Sequence, residues 1–477
     1  MVTFIICLSL LVAAYFIYGR YLEKVCGVDA KAKVPSETLY DGVDYLPMPR
    51  WRTFLIQLLN IAGVGPIFGA IMGACFGPVA FVWITLGGIF LGAMHDFVSG
   101  FILVRHNGLS LPEVIGKYLG KGVQQFIRVF TIFLLILVGV VFMRSPASLL
   151  HGMIPDIGYW GWMGIIVVYY FIATMLPVDK LIGKIYPLFG AALLFMAFGL
   201  LAVILIGDYS IPELTLDNWR NFQPNPEKLP IVPTLFITIA CGAISGFHAT
   251  QSPLMARCLN NEKECRMIFY GSMISESVIA LIWAGVATAF FHGTDGLIAA
   301  LAEHGNDAAW AVNHISTSTL GIFGGFLAML GVVAAPITSG DTAYRSARLI
   351  VADIFNIEQR SIAKRLAIAV PLFAIGIVMT FIDFDVIWRY FAWANQTLSV
   401  FTLWMIVVYL KQHKRNFWLA LFPAIFMTYV CLSFMFVSNQ FFGMGPTTFA
   451  YFCGGVTTLV FSVLILKFAR NAKKNIA

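Results

Sequence analysis

Two stretches decide how this sequence folds: Asn60-Ile-Ala-Gly63-Val-Gly65-Pro66-Ile-Phe-Gly69 and Cys241-Gly242-Ala-Ile-Ser245-Gly246-Phe-His248-Ala-Thr250-Gln251-Ser252-Pro253. Each sits in an apolar run of about 20 residues, the length that crosses a bilayer as a helix. Each also carries glycines and a proline, and proline has no N–H to give a helix. Backbone groups freed at membrane depth persist only when buried in protein or lining a wet cavity. Both stretches therefore read as broken membrane helices, the second closed by Pro253.

The rest of the chain fits that reading. Of its 477 residues 59% are hydrophobic and only 12% charged, with mean hydropathy +0.84. The charged share is about half that of a soluble domain, which excludes a soluble enzyme, a disordered chain and a disulfide scaffold. Thirteen apolar spans can be marked, at about 2–19, 53–75, 79–103, 126–147, 160–177, 187–207, 232–253, 267–291, 319–338, 366–382, 387–410, 417–437 and 447–467. They are too long, and alternate too little, for barrel strands. The expected class is an all-α polytopic membrane protein.

Charge orients it. With the N-terminus outside, all but four of the 31 lysines and arginines fall on the inner side; Arg144, Arg220, Lys228 and Arg389 remain outside. This is the positive-inside bias, and it accounts for the net charge of +7 without nucleic acid. The chain is expected N-out and C-in, its first span an uncleaved helix. The eight cysteines form no CxxC pair and read as small packing residues.

The seventh span follows the second by five, and an odd offset reverses the crossing direction. Spans 2–6 (53–210) and 7–11 (211–416) then read as LeuT-like 5+5 inverted repeats. Residues 1–52 form a first helix and inner loop, and 417–477 two accessory helices with a basic tail. Transporters of this design bind substrate and coupling ions at the breaks, near the midplane. That nominates Gln57, Asn60, Gly63, Gly65, Pro66, Ser245, Gly246, His248, Gln251 and Ser252 for substrate, with Asn395 and Gln396 adding hydrogen bonds.

Ionisable residues inside spans are functional candidates by default. Asp96, beside His95 in the third span, is either a proton site or the partner of an inner arginine such as Arg105. Glu276, near the middle of the eighth span, is the main proton-coupling candidate. His248 stands at the second break, and histidine titrates in the useful range. Thr338 and Ser339 end the ninth span, where hydroxyls can complete a sodium site with free carbonyls. Asp341 either joins that site or caps an inner amphipathic helix over 342–355. Arg144 and Arg389 either steer carboxylates or anchor at the interface.

Seven blocks resemble the carbon starvation (CstA-type) transporters. They are Asp41-Gly-Val-Asp-Tyr-Leu-Pro47, Ile61-Ala-Gly-Val-Gly-Pro66, His95-Asp96-Phe97, Gly108-Leu-Ser-Leu-Pro-Glu113, Ser245-Gly-Phe-His248, Gly271-Ser-Met-Ile-Ser-Glu276 and Thr338-Ser-Gly-Asp-Thr-Ala343. The resemblance implies membership of the amino acid–polyamine–organocation superfamily, and uptake of peptides or, in some members, of pyruvate with protons. This chain departs from the pattern at Ile56-Gln57, where many members carry histidines, and it is shorter than many members.

The expectation is a symporter of the cell (inner) membrane. It takes a small-molecule substrate, a peptide or carboxylate, with a proton or a sodium ion, and uses no cofactor. No Walker A sequence, HExxH or credible Gly-x-Ser-x-Gly appears, which argues against ATP drive and against an enzyme. A channel is the rival of another class; saturable, gradient-dependent uptake separates the two.

Overall fold

The computed structural model describes residues 1–42, 44–175, 178–207, 209–357 and 361–472. Arg360, Lys473 and Lys474, counted in the charge bias, lie outside the described residues, as do the side chains of Lys180, Lys184 and Arg470. Among the described residues regular structure is entirely helical.

The helices run in chain order as α1 (Val2–Cys26), the half-helices α2 (Arg50–Ile61) and α3 (Gly65–Ala74), α4 (Val79–Arg105), α5 (Leu111–Leu119), α6 (Lys121–Met153) and α7 (Tyr159–Met175). There follow α8 (Val178–Ile206), α9 (Gly246–Ala256), α10 (Arg266–Phe290), α11 (Thr294–Glu303), α12 (Ala308–Phe355), α13 (Ile362–Met379), α14 (Phe384–Gln412), α15 (Trp418–Val437) and α16 (Thr448–Ala472). Among the described residues nine helices are long and apolar enough to cross a membrane, ten if α2 and α3 count as one bent span. The other expected spans take different forms. Residues 160–177 fall largely on the shorter α7, 232–253 is divided into pieces, and 319–338 is the interior of the 48-residue α12.

Burial separates an inner group from an outer one. In α4 the apolar window is 89% buried, and in α10 and α14 83%; in α16 it is 22% and in α1 28%. The outer helices expose rows such as Phe449, Phe452, Leu459 and Val460, which suits contact with lipid. The inner helices carry the polar residues, including His95, Asp96, Glu276, Asn395 and Gln396, all fully buried.

Two sequence expectations are corrected. No separate helix covers 342–355: α12 runs unbroken through Asp341, whose carboxylate therefore cannot cap a helix start. Pro253 does not close the second break but sits inside α9, where the chain has already resumed its helix at Gly246.

Candidate functional site

The first break lies between α2 and α3, whose axes differ by 59°. Ala62 leaves helical geometry (φ −81°, ψ 64°), and Gly65–Gly69 resumes as a wide π-helical turn with Pro66 in its first turn, where no N–H is needed. The second break is longer. A helical turn ends at Ile239 (φ −95°, ψ 71°), Gly242 takes φ +91°, Ser245 is extended, and α9 begins at Gly246. A side chain at Gly242 would be strained by that φ alone.

The two breaks touch. A Cβ on Gly65 would collide with Cβ and Sγ of Cys241, so only a glycine lets the first break lie this close to the second. Carbonyls freed at the second break are taken up by side chains. Trp83 Nε1 donates to Ile239 O at 3.0 Å, and Gln396 Nε2 to Phe236 O at 3.1 Å. Asn395 secures the start of α9: its Oδ1 accepts from Phe247 N at 2.7 Å and from Ser245 Oγ at 3.1 Å.

Three sequence-nominated ionisable residues meet in one buried cluster. Nδ1 of His248 lies 2.8 Å from Oδ2 of Asp96, and Nε2 of His248 lies 3.2 Å from Oε2 of Glu276. His95 Nδ1 adds a bond to Asp96 Oδ1 at 2.7 Å. An ionised carboxylate only accepts, so Asp96 accepts one hydrogen bond from each ring. The alternative partner of Asp96, Arg105, is engaged elsewhere: its Nη2 donates to Glu262 at 2.8 Å. Sequence reading left Cys241 as packing; its sulfur, with a ring nitrogen of His248 and a Glu276 oxygen, forms a group of atoms all within 4.8 Å of one another. Its position at the head of the second break, immediately before Gly242, was the available signal.

The sequence-nominated residues of the first break contribute polarity without partners. Both amide atoms of Gln57 and both of Asn60 are buried and make no hydrogen bond within the protein, as is Gln251 Oε1 in α9. Each such group costs roughly 1–3 kcal/mol if nothing meets it. Ser252 differs: its hydroxyl donates to His248 O at 3.0 Å, within α9 itself.

A second polar cluster surrounds α12. Ser339 Oγ lies 2.9 Å both from Leu59 O, a carbonyl just before the first break, and from Ala335 O in its own helix, and shares its one proton between them. Thr338 is turned otherwise, its Oγ1 bonded to Ala335 O at 2.9 Å in its own helix. Asp341 Oδ2 accepts from the hydroxyls of Tyr186 and, at 3.2 Å, Tyr169. Neither tyrosine was nominated by the sequence, because tyrosine is equally at home in packing and at interfaces.

A cavity of about 700 Å³ opens beside the breaks, bordered by Phe68, Met72, Ile237, Thr238, Arg144 and Arg389. None of Asp96, His248 and Glu276 lines it. Arg144 also holds the chain before α14, donating from Nη1 to Ile382 O at 2.6 Å.

The family model for "Carbon starvation protein CstA" matches residues 1–155 and 148–323. The chain belongs to the CstA family. Among its relatives, a Haemophilus influenzae protein described as an uncharacterized membrane protein is 44% identical over 345 residues, covering 62% of this chain and 93% of that one. The pyruvate/proton symporter BtsT of Escherichia coli is 29% identical (57% of this chain, 47% of that one), and the peptide transporter CstA of Campylobacter jejuni 28% (56% and 47%). The matched region spans about half the length of these two named transporters. In fold, a mutant of the Eremococcus coleocola manganese transporter superposes with TM-score 0.57 at 13% identity, over 92% of this chain and 99% of that one. At that identity the likeness concerns the fold alone. CstA-family membership and the apolar helices make the chain a multi-pass membrane protein.

Proposed function

We propose that the protein is a proton-coupled secondary transporter that imports peptides or small carboxylates such as pyruvate across the cell membrane. In this reading thirteen spans run N-out and C-in, and spans 2–6 and 7–11 form the inverted repeats that rock about the two breaks.

One observation carries the reading: the buried chain Asp96–His248–Glu276, in which a residue of the first repeat is bridged to one of the second through the second break. With both carboxylates ionised and His248 protonated, the cluster carries a net negative charge in a low-dielectric interior. One further proton on Glu276 makes it neutral. A cluster that one added proton makes neutral and that does not line the cavity suits a coupling site that fills on one side and empties on the other.

Substrate chemistry is supported by the unpartnered amides of Gln57 and Asn60, which offer both donors and acceptors, and by the free acceptor Oε1 of Gln251. A cavity of about 700 Å³ admits either a dipeptide or a keto acid. The names of the relatives favour the same two substrate classes.

Proteoliposome uptake tests the proposal. Labelled pyruvate or dipeptide should accumulate under an imposed proton gradient, and accumulation should vanish in Glu276→Gln. Accumulation driven by sodium alone would reject proton coupling. Ser339 at Leu59 O favours that second reading, a sodium-coupled symporter whose ion sits at the first break. Downhill flux that never saturates would instead support a channel.

A further inference from the structure

The group formed by Cys241, His248 and Glu276 has the composition and the surroundings of a metal centre. Cys241 Sγ, a ring nitrogen of His248 and a Glu276 oxygen, one from each residue and all buried, lie within 4.8 Å of one another, and Nε2 is the nitrogen that faces Glu276, at 3.2 Å. Ligands around a tetrahedral zinc stand about 3.5 Å apart at its usual bond lengths, so a modest inward turn of the side chains closes the set.

The tautomer is already selected. Asp96 accepts from Nδ1 of His248 at 2.8 Å, so Nδ1 holds a proton, and Nε2, once it has given up its own, turns its lone pair towards Glu276. A carboxylate behind a histidine in this manner is the usual support of a metal-ligating imidazole. Asp96 is itself steadied by His95. Asn395 Nδ2 donates to Cys241 Sγ at 3.7 Å, which holds the sulfur in place from outside the group. His248 Nε2 and both oxygens of Glu276 are buried and make no hydrogen bond, and Nε2 faces Glu276 Oε2 at 3.2 Å, so a metal ion would replace that single contact.

We propose that Cys241, His248 and Glu276 bind a soft divalent transition metal of the zinc class. Thiolate, imidazole and carboxylate together suit zinc or cobalt(II) far better than magnesium, calcium or sodium. The thiolate and the Glu276 carboxylate supply two negative charges to balance the dication, and the thiol proton is released on binding. Three protein ligands leave a fourth position for water or for a donor atom on another molecule. Metal and proton compete for the same nitrogen of His248. The inference goes beyond the transport reading and stands or falls separately from it.

The test uses the full chain, purified in detergent, stripped with a chelator and titrated with cobalt(II) in the absence of any transported substrate. One equivalent should bind and give the thiolate-to-cobalt charge-transfer absorption, which zinc(II) then displaces. Cys241→Ser should lose that absorption and bind at least tenfold more weakly. Asp96→Asn should keep it while weakening binding about 10–100-fold. Cys431→Ser, at a buried cysteine outside the group, should bind as the wild type does. Absence of stoichiometric binding, or binding without the thiolate absorption in the wild type, would overturn the proposal even if a variant failed to fold. So would unaltered binding in Cys241→Ser. Because nothing is transported in this assay, loss of uptake and loss of metal binding are separate results.

Discussion

His248 uses its two ring nitrogens on two different helices: Nδ1 is 2.8 Å from Asp96 of α4, and Nε2 is 3.2 Å from Glu276 of α10. The ring itself stands in α9, directly after the second break. A rigid five-membered ring thus couples two consecutive helices, α9 and α10, to α4, whose Asp96 lies 152 residues earlier in the chain than His248.

Replacing that ring should be costly. His248→Gln removes the partner of Asp96 and leaves a buried carboxylate supported only by His95. Breaking a buried ion pair from one side costs about 3–5 kcal/mol. Concentrative uptake should be abolished and the thermal midpoint in detergent lowered. A midpoint equal to the wild type's would mean that the Asp96 contact adds little to folding.

Glu276→Gln separates coupling from binding. The amide keeps the shape of the side chain and permanently mimics its uncharged form. We expect equilibrium exchange of substrate across the bilayer to survive while accumulation against a gradient is lost. Loss of exchange together with accumulation would place Glu276 in substrate binding or folding rather than in proton coupling.

Gly65→Ala tests the contact between the breaks. Its methyl group would meet the side chain of Cys241, and forcing extra volume into a packed interior costs about 1–3 kcal/mol. The expected result is strongly reduced uptake, with partial recovery in Gly65→Ala/Cys241→Gly, which makes room for the methyl. If the pair recovers nothing, the close approach is not what requires glycine.

Asn395→Ala leaves Phe247 N and Ser245 Oγ without their acceptor. Each buried orphan costs roughly 1–3 kcal/mol, and both lie at the start of α9. Destabilisation should therefore appear as faster hydrogen exchange around residues 245–250, ahead of global unfolding. Uniform protection across that segment would argue that the loop holds itself.

Much of this was legible in the sequence, for physical reasons that also set its limits. Gly63, Gly65, Pro66 and Gly242 announce breaks because their effect is on the backbone, which needs no partner to be read. Asp96 and Glu276 stand out because a carboxylate in an apolar run is expensive wherever it points. Their meeting through His248 was not legible, since Asp96 and His248 are 152 residues apart and only packing brings them together. Cys241 was hidden because cysteine is equally good at filling space. Asp341 misled for a related reason: a carboxylate after Ser-Gly is a good helix cap, but α12 continues through it and its charge is met by tyrosines of other helices.

The length of α12 has mechanical meaning. It kinks at Gly321 (φ 65°, ψ −168°) and then continues to Phe355. That second segment, at 1.5 Å per residue, extends for roughly 50 Å, against about 30 Å of hydrocarbon. Ser339 fastens it to the chain just before the first break, about halfway along. If the repeats rock as proposed, a segment held there and longer than the membrane is thick would act as a lever with its fulcrum at Ser339, and a small tilt at the break would become a displacement of several ångströms at Phe355.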